Sequence, residues 1–594
     1  MRLGVLIALL VAGGCVIEPR IYRLPSALNT LTDLVRPTTE PAPQWLSPAG
    51  PGLPATAPAA LQSLARAETG LETGQRKLLL GQKQAAAQAY RQSLGQAAWL
   101  LQQLGPQPAT VGAADPRSTQ LAQRAAEAHD RALLGLLRAV ECKPGQHRCH
   151  VQARLAELGI GLEAADDRLA AIDWDEIWPA ADFVTTHVQD PCRWDGLGVP
   201  LVVSRYKRPR TGYPELAYPP RWKFAATAVA RPLQGTAEGP LKLVLTDPYQ
   251  TRQVVTGGLV WPLAADLTTP VIHLLSHSHY RNKGRVGMFI PEKLTDEEGM
   301  TTVHPYQPGK IPIVLIHGLG CSPRIMADIV NTIHAHPTLR ARYQVFIAYY
   351  TSGDTILQDA EKLRVAIRGT RNFYDPAHQD TAWDQMVVLG HSLGGPIARI
   401  LTASSDDVVE RSIFRVPFAQ VRVSPETRAR VTRSFDFEPV SEITRVIYIC
   451  GTMHGSRAAD QIEGRLFARV IPRRSTLEQF HAEVLANNSP EVLDPRFRKR
   501  PPSSIDNQSP ESAILAAVNS LRRNPEVVTH SIQANATPLL PLERSTDFLV
   551  PFESSTIDDA SSRLVVPWAN HFCTHNRAVL DEVTRVLHEH LGER

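Results

Sequence analysis

The sequence predicts an α/β protein whose largest part is a mostly parallel β-sheet covered by helices. From residue 301 onward, apolar runs such as "KIPIVLIHG", "YQVFIAYYT", "MVVLGHS" and "TRVIYICGT" alternate with stretches of helical periodicity. This alternation is typical of buried parallel strands joined by crossover helices. The residues before 301 carry other patterns, first helical and then β-rich. A chain of 594 residues also has room for several domains.

Residues 1–15, "MRLGVLIALLVAGGC", predict an export signal. An arginine at position 2 precedes an apolar stretch that is shorter than the roughly 20 residues of a membrane-spanning helix. Its last residues, Ala12 to Cys15, resemble the lipobox of bacterial lipoproteins. The resemblance implies that Cys15 is lipidated and that the exported chain is anchored in the cell envelope, at the outer membrane or the periplasmic face. Secretion without lipidation is the alternative.

Residues 16–60 are rich in proline and predict an extended tether. Residues 61–170 shift to Ala, Leu, Gln and Arg with apolar residues three and four apart, which predicts a helical domain. Within it, Gly81, Ala86 and Tyr90 match part of a tetratricopeptide unit. Since no second copy follows at that period, an ordinary helical bundle is the favoured interpretation.

Residues 171–300 contain short alternating apolar runs broken by Pro, Gly and Asp, such as "KFAATAVARP" and "LKLVLTDP". This pattern predicts a β-rich segment. It either supplies the first strands of the following sheet or forms a separate small domain. Residues 301–594 would then form the α/β domain.

Six cysteines remain after Cys15, an even number that permits disulfides in an exported protein. In "CKPGQHRCH" (142–150), Cys142 and Cys149 flank a Pro-Gly turn and two histidines. A disulfide closing a helical hairpin is favoured there over a zinc clip. The sequence suggests no other metal site.

The stretch "VVLGHSLGGPIARI" (387–400) contains the pattern G-x-S-x-G, with Ser392 at its centre. An apolar strand precedes the pattern and a helical segment follows it. Small flanking residues allow a sharp strand-to-helix turn that exposes the hydroxyl group. Ser392 is therefore the candidate nucleophile.

A second glycine-rich turn, "IVLIHGLGCSP", follows a strand some seventy residues before the serine. Backbone N–H groups in such a turn can stabilise a developing oxyanion. The sequence predicts that the amides of Leu319 and Leu393 form this oxyanion hole. His317 is interpreted as a structural residue of the loop, because a catalytic histidine would follow the serine in this order of elements.

An acid and then a histidine should follow the serine. Asp547 in "STDFLVPFESS" is the candidate acid and Glu553 the reserve. Asp558 and Asp559 are interpreted as solvated loop charges.

Four histidines lie near the C-terminus. His571 comes directly after the apolar strand "RLVVPWAN", so it is the candidate base, whereas His575 should lie beside the start of the last helix. His588 and His590 are predicted to face solvent on that helix.

The stretches "IPIVLIHGLG", "VVLGHSLGG", "TDFLVP" and "VVPWANH" resemble the α/β-hydrolase superfamily of serine esterases and lipases, over about half of the chain. "PYQPGKIPIVLIHGL", "GTMHGS" and "PPSSIDNQSPES" further resemble bacterial lipoprotein-type hydrolases with an extra N-terminal region. Met453 stands where that group commonly has proline, and His454 is expected to be architectural. The resemblance implies an α/β-hydrolase fold. Residues 404–442 and 456–526 are expected to be cap insertions in it.

The expected function is a membrane-anchored hydrolase of carboxylic esters, with a lipid or other ester as substrate and an acyl-enzyme formed on Ser392. No cofactor is expected. The 63 basic and 59 acidic residues nearly balance, which disfavours a nucleic-acid partner. Two alternatives stay open: acyl transfer, thioester or amide cleavage by the same groups, or an envelope scaffold lipoprotein whose helical region binds protein partners.

Overall fold

The computed structural model describes residues 20–23, 58–104, 116–141, 148–206, 221–276, 298–350, 354–456, 475–502 and 505–593. No helix within these ranges has the length and apolar character needed to cross a membrane. The predicted lipidation site Cys15 lies outside them. The predicted disulfide between Cys142 and Cys149 also lies outside the described residues, since Cys142 and the side chain of Cys149 are not among them.

Helices dominate the first part of the described chain. In α1, for example, Leu64, Ala67, Leu71 and Leu78 are buried, so one stripe of the helix faces its neighbours. The elements here are β1 (Arg20–Arg23), α1 (Pro58–Leu79), α2 (Lys83–Gln103), α3 (Pro116–Ala139), α4 (Arg148–Glu157), β2 (Ile160–Ala164) and α5 (Asp167–Ala171).

The next part is built mainly from strands. They are β3 (Glu176–Pro179), β4 (Phe183–Thr186), β5 (Arg193–Trp194), β6 (Val199–Arg205), β7 (Trp222–Pro232), β8 (Leu241–Thr246), β9 (Gln253–Thr256), β10 (Leu259–Pro262) and β11 (Ala265–Asp266), followed by α6 (Thr268–Ser276). A five-stranded sheet has the order β2–β8–β7–β6–β3 and is antiparallel except for the β2–β8 pair. β9 pairs with β10 and β5 with β11.

Two strands lie where the sequence predicted other structure. β1 falls within the predicted tether, residues 16–60, and pairs antiparallel with β4. β2 falls within the predicted helical domain, residues 61–170, and pairs parallel with β8. Both strands are short and have partners far along the chain, so local periodicity could not indicate them.

The main sheet has seven strands in the order β12–β14–β13–β15–β17–β19–β20, all parallel except the edge strand β12. The predicted α/β architecture is confirmed here. Of the β-rich segment, β12 belongs to this sheet, while the other strands form sheets of their own. The strands from here onward are β12 (Gly299–Thr302), β13 (Ile311–Ile316), β14 (Tyr343–Tyr349), β15 (Met386–His391), β16 (Ala403–Ser404), β17 (Ile443–Ile449), β18 (Arg522–Arg523), β19 (Val528–Asn535) and β20 (Ser562–Pro567).

Helices connect these strands and build two insertions. They are α7 (Ala327–Ala335), α8 (Pro337–Arg342), α9 (Ile356–Tyr374), α10 (Gly394–Leu401), α11 (Val408–Ile413), α12 (Pro425–Phe435), α13 (Ser475–Asn487), α14 (Ala513–Ser520) and α15 (Arg577–His590). The insertions pack on each other through the β16–β18 pair and the bridge between Phe414 and Leu493.

The apolar core crosses the boundary between the N-terminal elements and the main sheet. One buried cluster runs from Tyr90 in α2 through Leu243 in β8 to Leu315 in β13 and Leu580 in α15. A second cluster fills the opposite face of the main sheet and extends into the insertions. The N-terminal part therefore packs directly on the part that carries the site.

Candidate active site

Ser392 occupies the sharp turn between β15 and α10. Its φ of 56° is in the left-handed region, and its N–H donates to the carbonyl of Ile449 at 3.0 Å. The turn is possible because Gly394 lies against β13, where a Cβ would come 2.5 Å from the Ile316 oxygen. The hydroxyl group is thus held at the carboxyl end of the sheet, on a residue that is 7% exposed.

His571 lies in the loop after β20 and contacts Ser392 directly. Its Nε2 is 2.8 Å from the Ser392 Oγ, and its Nδ1 is 2.7 Å from an oxygen of Asp547. In the neutral ring, Nδ1–H donates a hydrogen bond to the carboxylate, and Nε2 accepts a hydrogen bond from the serine hydroxyl group. The histidine is therefore oriented to act as a base toward the serine.

Asp547 is fixed by the turn in which it lies. Its second oxygen accepts hydrogen bonds from the amides of Leu549, at 2.9 Å, and Val550, at 2.6 Å. Its backbone carbonyl accepts the N–H of His571 at 2.9 Å. The carboxylate is buried, and three donors satisfy it. The acid and histidine loops are thus joined through both backbone and side chain.

The predicted oxyanion residues flank the serine. Leu393 follows it at the start of α10, and Leu319 follows β13 in the glycine-rich loop. The loop approaches closely, since a Cβ at Gly318 would lie 2.8 Å from the Cβ of Ser392. Among the described residues, neither the Leu319 nor the Leu393 amide donates to another backbone carbonyl outside a helix or strand. Neither N–H is therefore committed to such a hydrogen bond in the described part of the chain.

Two buried histidines support the site. His317 stacks on Tyr350, with ring centroids 4.4 Å apart, and burial lowers its pKa to about 4. His391, next to the serine, donates from Nε2 to the carbonyl of His571 at 2.9 Å, and burial lowers its pKa to about 3. Both rings are therefore neutral at physiological pH. The sequence gives no signal for His391 other than its place within G-x-S-x-G.

The reserve acid and the two loop aspartates are not bonded to His571, whose carboxylate partner is Asp547. Glu553, Asp558 and Asp559 are exposed, and Asp559 pairs with Arg523. The Glu553 reserve assignment therefore has no geometric support.

The remaining histidines also lie outside the site. His454 is exposed and lies 3.2 Å from Asn519. His575 ends the 3₁₀ turn Cys573–His575, directly before α15. The expectation that His590 faces solvent is wrong, because its Nδ1 lies 2.8 Å from the Tyr343 hydroxyl.

A cavity of about 100 Å³ lies between α9 and the two insertions. Its walls are mainly apolar and include Val431, Phe435, Phe480, Val484 and Phe497. None of Ser392, Asp547 and His571 lines it. The cavity is therefore a feature distinct from the surroundings of the serine hydroxyl.

Comparisons with known proteins give weak similarities to solved structures. No family model and no curated protein matches the chain. The mature form of the Bacillus licheniformis lipase BlEst2 is 13% identical, with 47% of this chain and 93% of that one covered and a TM-score of 0.25. A lipase-esterase related protein from Clostridium acetobutylicum is 12% identical, with 47% and 95% covered and a TM-score of 0.22.

A thermophilic esterase from Thermogutta terrifontis, Est2, is 14% identical, with 48% of this chain and 84% of that one covered and a TM-score of 0.24. Similarities at this level carry no argument about the chain's activity. The functional conclusion therefore depends on the geometry of the serine, histidine and aspartate.

Proposed function

We propose that the chain is a serine hydrolase of carboxylic esters, with an α/β-hydrolase fold and a catalytic triad of Ser392, His571 and Asp547. The observation that carries the proposal is the double contact of His571, at 2.8 Å to the serine hydroxyl and 2.7 Å to the carboxylate. A histidine held in this way can take the serine proton and remain stabilised as an imidazolium. The three side chains come from separate loops of the chain. They are hydrogen-bonded in the order serine, histidine, aspartate, which is the order that this chemistry requires.

In the proposed reaction, Ser392 Oγ attacks the ester carbonyl carbon while its proton passes to His571 Nε2. The C–O bond to the leaving alcohol then breaks, and His571 returns the proton to that alcohol. Water attacks the acyl-enzyme with His571 again accepting a proton, which finally returns to Ser392 as the acid leaves. Asp547 stays ionised and holds Nδ1–H throughout.

The proposed oxyanion hole consists of the Leu319 and Leu393 amides. During each attack, the carbonyl oxygen gains negative charge, and fixed N–H groups stabilise it without reorganising. The position of Leu393 at the N-terminus of α10 adds the favourable field of the helix dipole. This arrangement supports acyl chemistry on a planar carbonyl group.

The test of the triad uses the full chain and a fluorophosphonate probe, followed by p-nitrophenyl esters of increasing acyl length. We expect Ser392→Ala to abolish labelling and to lower kcat/KM at least about 1,000-fold with the fold retained, since only a hydroxyl group is lost. Ser441→Ala, at an exposed serine outside the site, is the matched control. Labelling of Ser392→Ala at the wild-type rate would contradict the proposal. Analysis of the products with an added alcohol separates hydrolysis from acyl transfer.

We also propose that the protein is exported and anchored in the cell envelope through a lipid on Cys15. The support is the sequence of residues 1–15, a short apolar signal that ends in cysteine. The wild type should partition into the detergent phase of Triton X-114, and Cys15→Ser into the aqueous phase. Equal partitioning of both would exclude the anchor.

A further inference from the structure

Two buried cysteines meet directly behind the histidine and the acid. The Sγ atoms of Cys450 and Cys573 are 3.5 Å apart, although 123 residues separate them in the sequence. Both residues are buried, at 0% and 2% exposure. Cys450 comes directly after β17, and Cys573 comes two residues after His571.

We propose that Cys450 and Cys573 form a disulfide in the mature protein and that this cross-link positions His571. The two thiols lose two protons and two electrons to an oxidising disulfide, such as oxidised glutathione. That disulfide is reduced to two thiols as the new S–S bond forms. An S–S bond is about 2 Å long, so the sulfurs need to approach by only about 1.5 Å.

The surroundings favour a cross-link over a reactive thiol. Hydrogen bonding to Cys573 and burial raise the pKa of the Cys450 thiol well above its ordinary range. A thiolate is therefore disfavoured in the folded protein, and exchange of the buried pair should be slow. Oxidation would take place while the chain folds, and the predicted export of the chain would supply an oxidising compartment.

A metal site is the other chemistry these groups could offer. Ligand atoms of Cys450, Asp547 and His571 lie within 4.8 Å of one another. However, His571 and Asp547 already bond to each other at 2.7 Å, and Cys450 already has a sulfur partner. The cross-link uses neither the acid nor the histidine as a ligand, whereas a metal ion held by all three groups would compete with their hydrogen bond, so the cross-link is the better fit.

The cross-link would connect the two segments that must stay aligned. On one side, the Cys450 N–H donates to Ile532 at 2.9 Å, and the preceding Ile449 carbonyl accepts the N–H of Ser392 at 3.0 Å. On the other side, Cys573 lies in the loop that carries His571. Noncovalent contacts hold this loop, including Thr574 Oγ1 to the Ile325 carbonyl at 2.6 Å. A covalent bond there limits the drift of the histidine relative to the serine.

The cross-link itself is tested by peptide mapping, which needs no activity. The full chain is purified from an exporting host, or refolded in a buffer of oxidised and reduced glutathione, then denatured in the presence of an alkylating agent and digested without reduction. We expect one linked peptide pair containing Cys450 and Cys573, and alkylated Cys192. Full alkylation of both Cys450 and Cys573 in each preparation would overturn the proposal.

The effect on His571 rests on the proposed function and is measured separately. The variant Cys450→Ala/Cys573→Ala should melt about 3 to 6 °C lower than the oxidised wild type, because the bond closes a long loop. Well below that temperature, we expect kcat to fall about 3- to 10-fold with KM within about twofold. Cys192→Ala is the matched control for loss of a buried thiol elsewhere. An unchanged kcat in the double variant would exclude the positioning role. Absence of any hydrolysis by the wild type would instead count against the triad, and it would not affect the disulfide identified by peptide mapping.

Discussion

Four residues in left-handed backbone conformations lie at or near the proposed triad. They are Ser392 at φ 56°, Cys450 at 48°, Phe548 at 78° and Trp568 at 60°. This conformation costs about 1–2 kcal/mol for a residue with a side chain. Phe548 directly follows the acid, and Trp568 precedes the histidine by three residues. Such strain persists only where surrounding contacts impose it, as at functional turns.

At the residue scale, the sharpest prediction concerns His571 and His575. His571→Ala should lower kcat at least about 1,000-fold, because the serine loses its proton acceptor. Asp547→Asn should lower kcat less, since the base remains. His575→Ala should stay within about threefold of wild type, because its ring lies in the turn before α15 and contacts neither Ser392 nor Asp547. Initial rates with a p-nitrophenyl ester measure all three, and a dead His575→Ala with a normal His571→Ala would reverse the assignment.

The motif and the order of elements along the chain were sufficient to predict Ser392, Asp547 and His571 as site residues. Each follows an apolar strand that can be recognised from the local sequence. His391 could not be predicted, since its partner is the carbonyl of a residue 180 positions away. The Cys450–Cys573 contact was hidden for the same reason. His590 was placed incorrectly because helical periodicity does not reveal the Tyr343 hydroxyl that it meets.

At the scale of elements, the site depends on close approach of the loop after β13 to the serine turn. Gly318→Ala would place a Cβ 2.8 Å from the Cβ and 3.2 Å from the Oγ of Ser392. We expect this change to move the Leu319 amide and to lower kcat/KM about 100-fold or more. Gly235→Ala is the control, since a Cβ there meets nothing within 4 Å. Equal activity of the two variants would contradict the proposed role of this loop.

The elements of the main sheet were predictable where apolar runs are long and bounded by turns. "KIPIVLIHG" contains β13, and "RLVVPWANH" contains all of β20 but its first residue. Pairing between distant short segments was not predictable, as β1 and β2 demonstrate. Their partners, β4 and β8, are distant in the sequence, and local periodicity does not encode such pairing.

At the scale of the molecule, the N-terminal elements and the main sheet share one core and several polar contacts. Asp190 contacts Arg577 at the start of α15 at 2.6 Å and Thr332 in α7 at 2.8 Å. The Gln189 amide donates to Asp328 at 3.1 Å. These contacts join the β-rich part to two helices on the same side of the main sheet. We therefore expect the two parts to unfold together, so that a single pH dependence of the free energy of unfolding describes both.

Burial of neutral histidines sets the sign of that pH dependence. Burial lowers the pKa of His304 to about 3, of His317 to about 4 and of His391 to about 3, and lowers that of His334 well below its ordinary 6.5. Below pH 6.5 the unfolded chain therefore binds protons at these rings that the folded chain does not. The stability that these rings contribute is complete above pH 6.5 and is lost as the pH falls toward 4.

Two buried carboxyl groups act in the opposite direction. Burial raises the pKa of Asp247 to about 7 and that of Asp328 to about 6, so near pH 5 the folded chain holds two protons that the unfolded chain has released. Burial also lowers the pKa of His530 and that of His590 to about 4. The lowered histidines outnumber the raised carboxyl groups, so the unfolded state binds more protons than the folded state near pH 5. The free energy of unfolding should thus decrease as the pH falls through this range.

The last prediction is that acid destabilises the protein through these histidines. Thermal unfolding should shift to lower temperature between pH 6 and pH 4.5, and calorimetry in buffers of different ionisation enthalpy should detect net proton uptake on unfolding near pH 5. His334→Gln removes one buried ring away from the serine, so it should reduce that uptake by about one proton. Ser441→Ala, at an exposed position, should leave the uptake unchanged. A melting temperature constant across this range, or an uptake unaffected by His334→Gln, would mean that the buried rings do not control the acid transition.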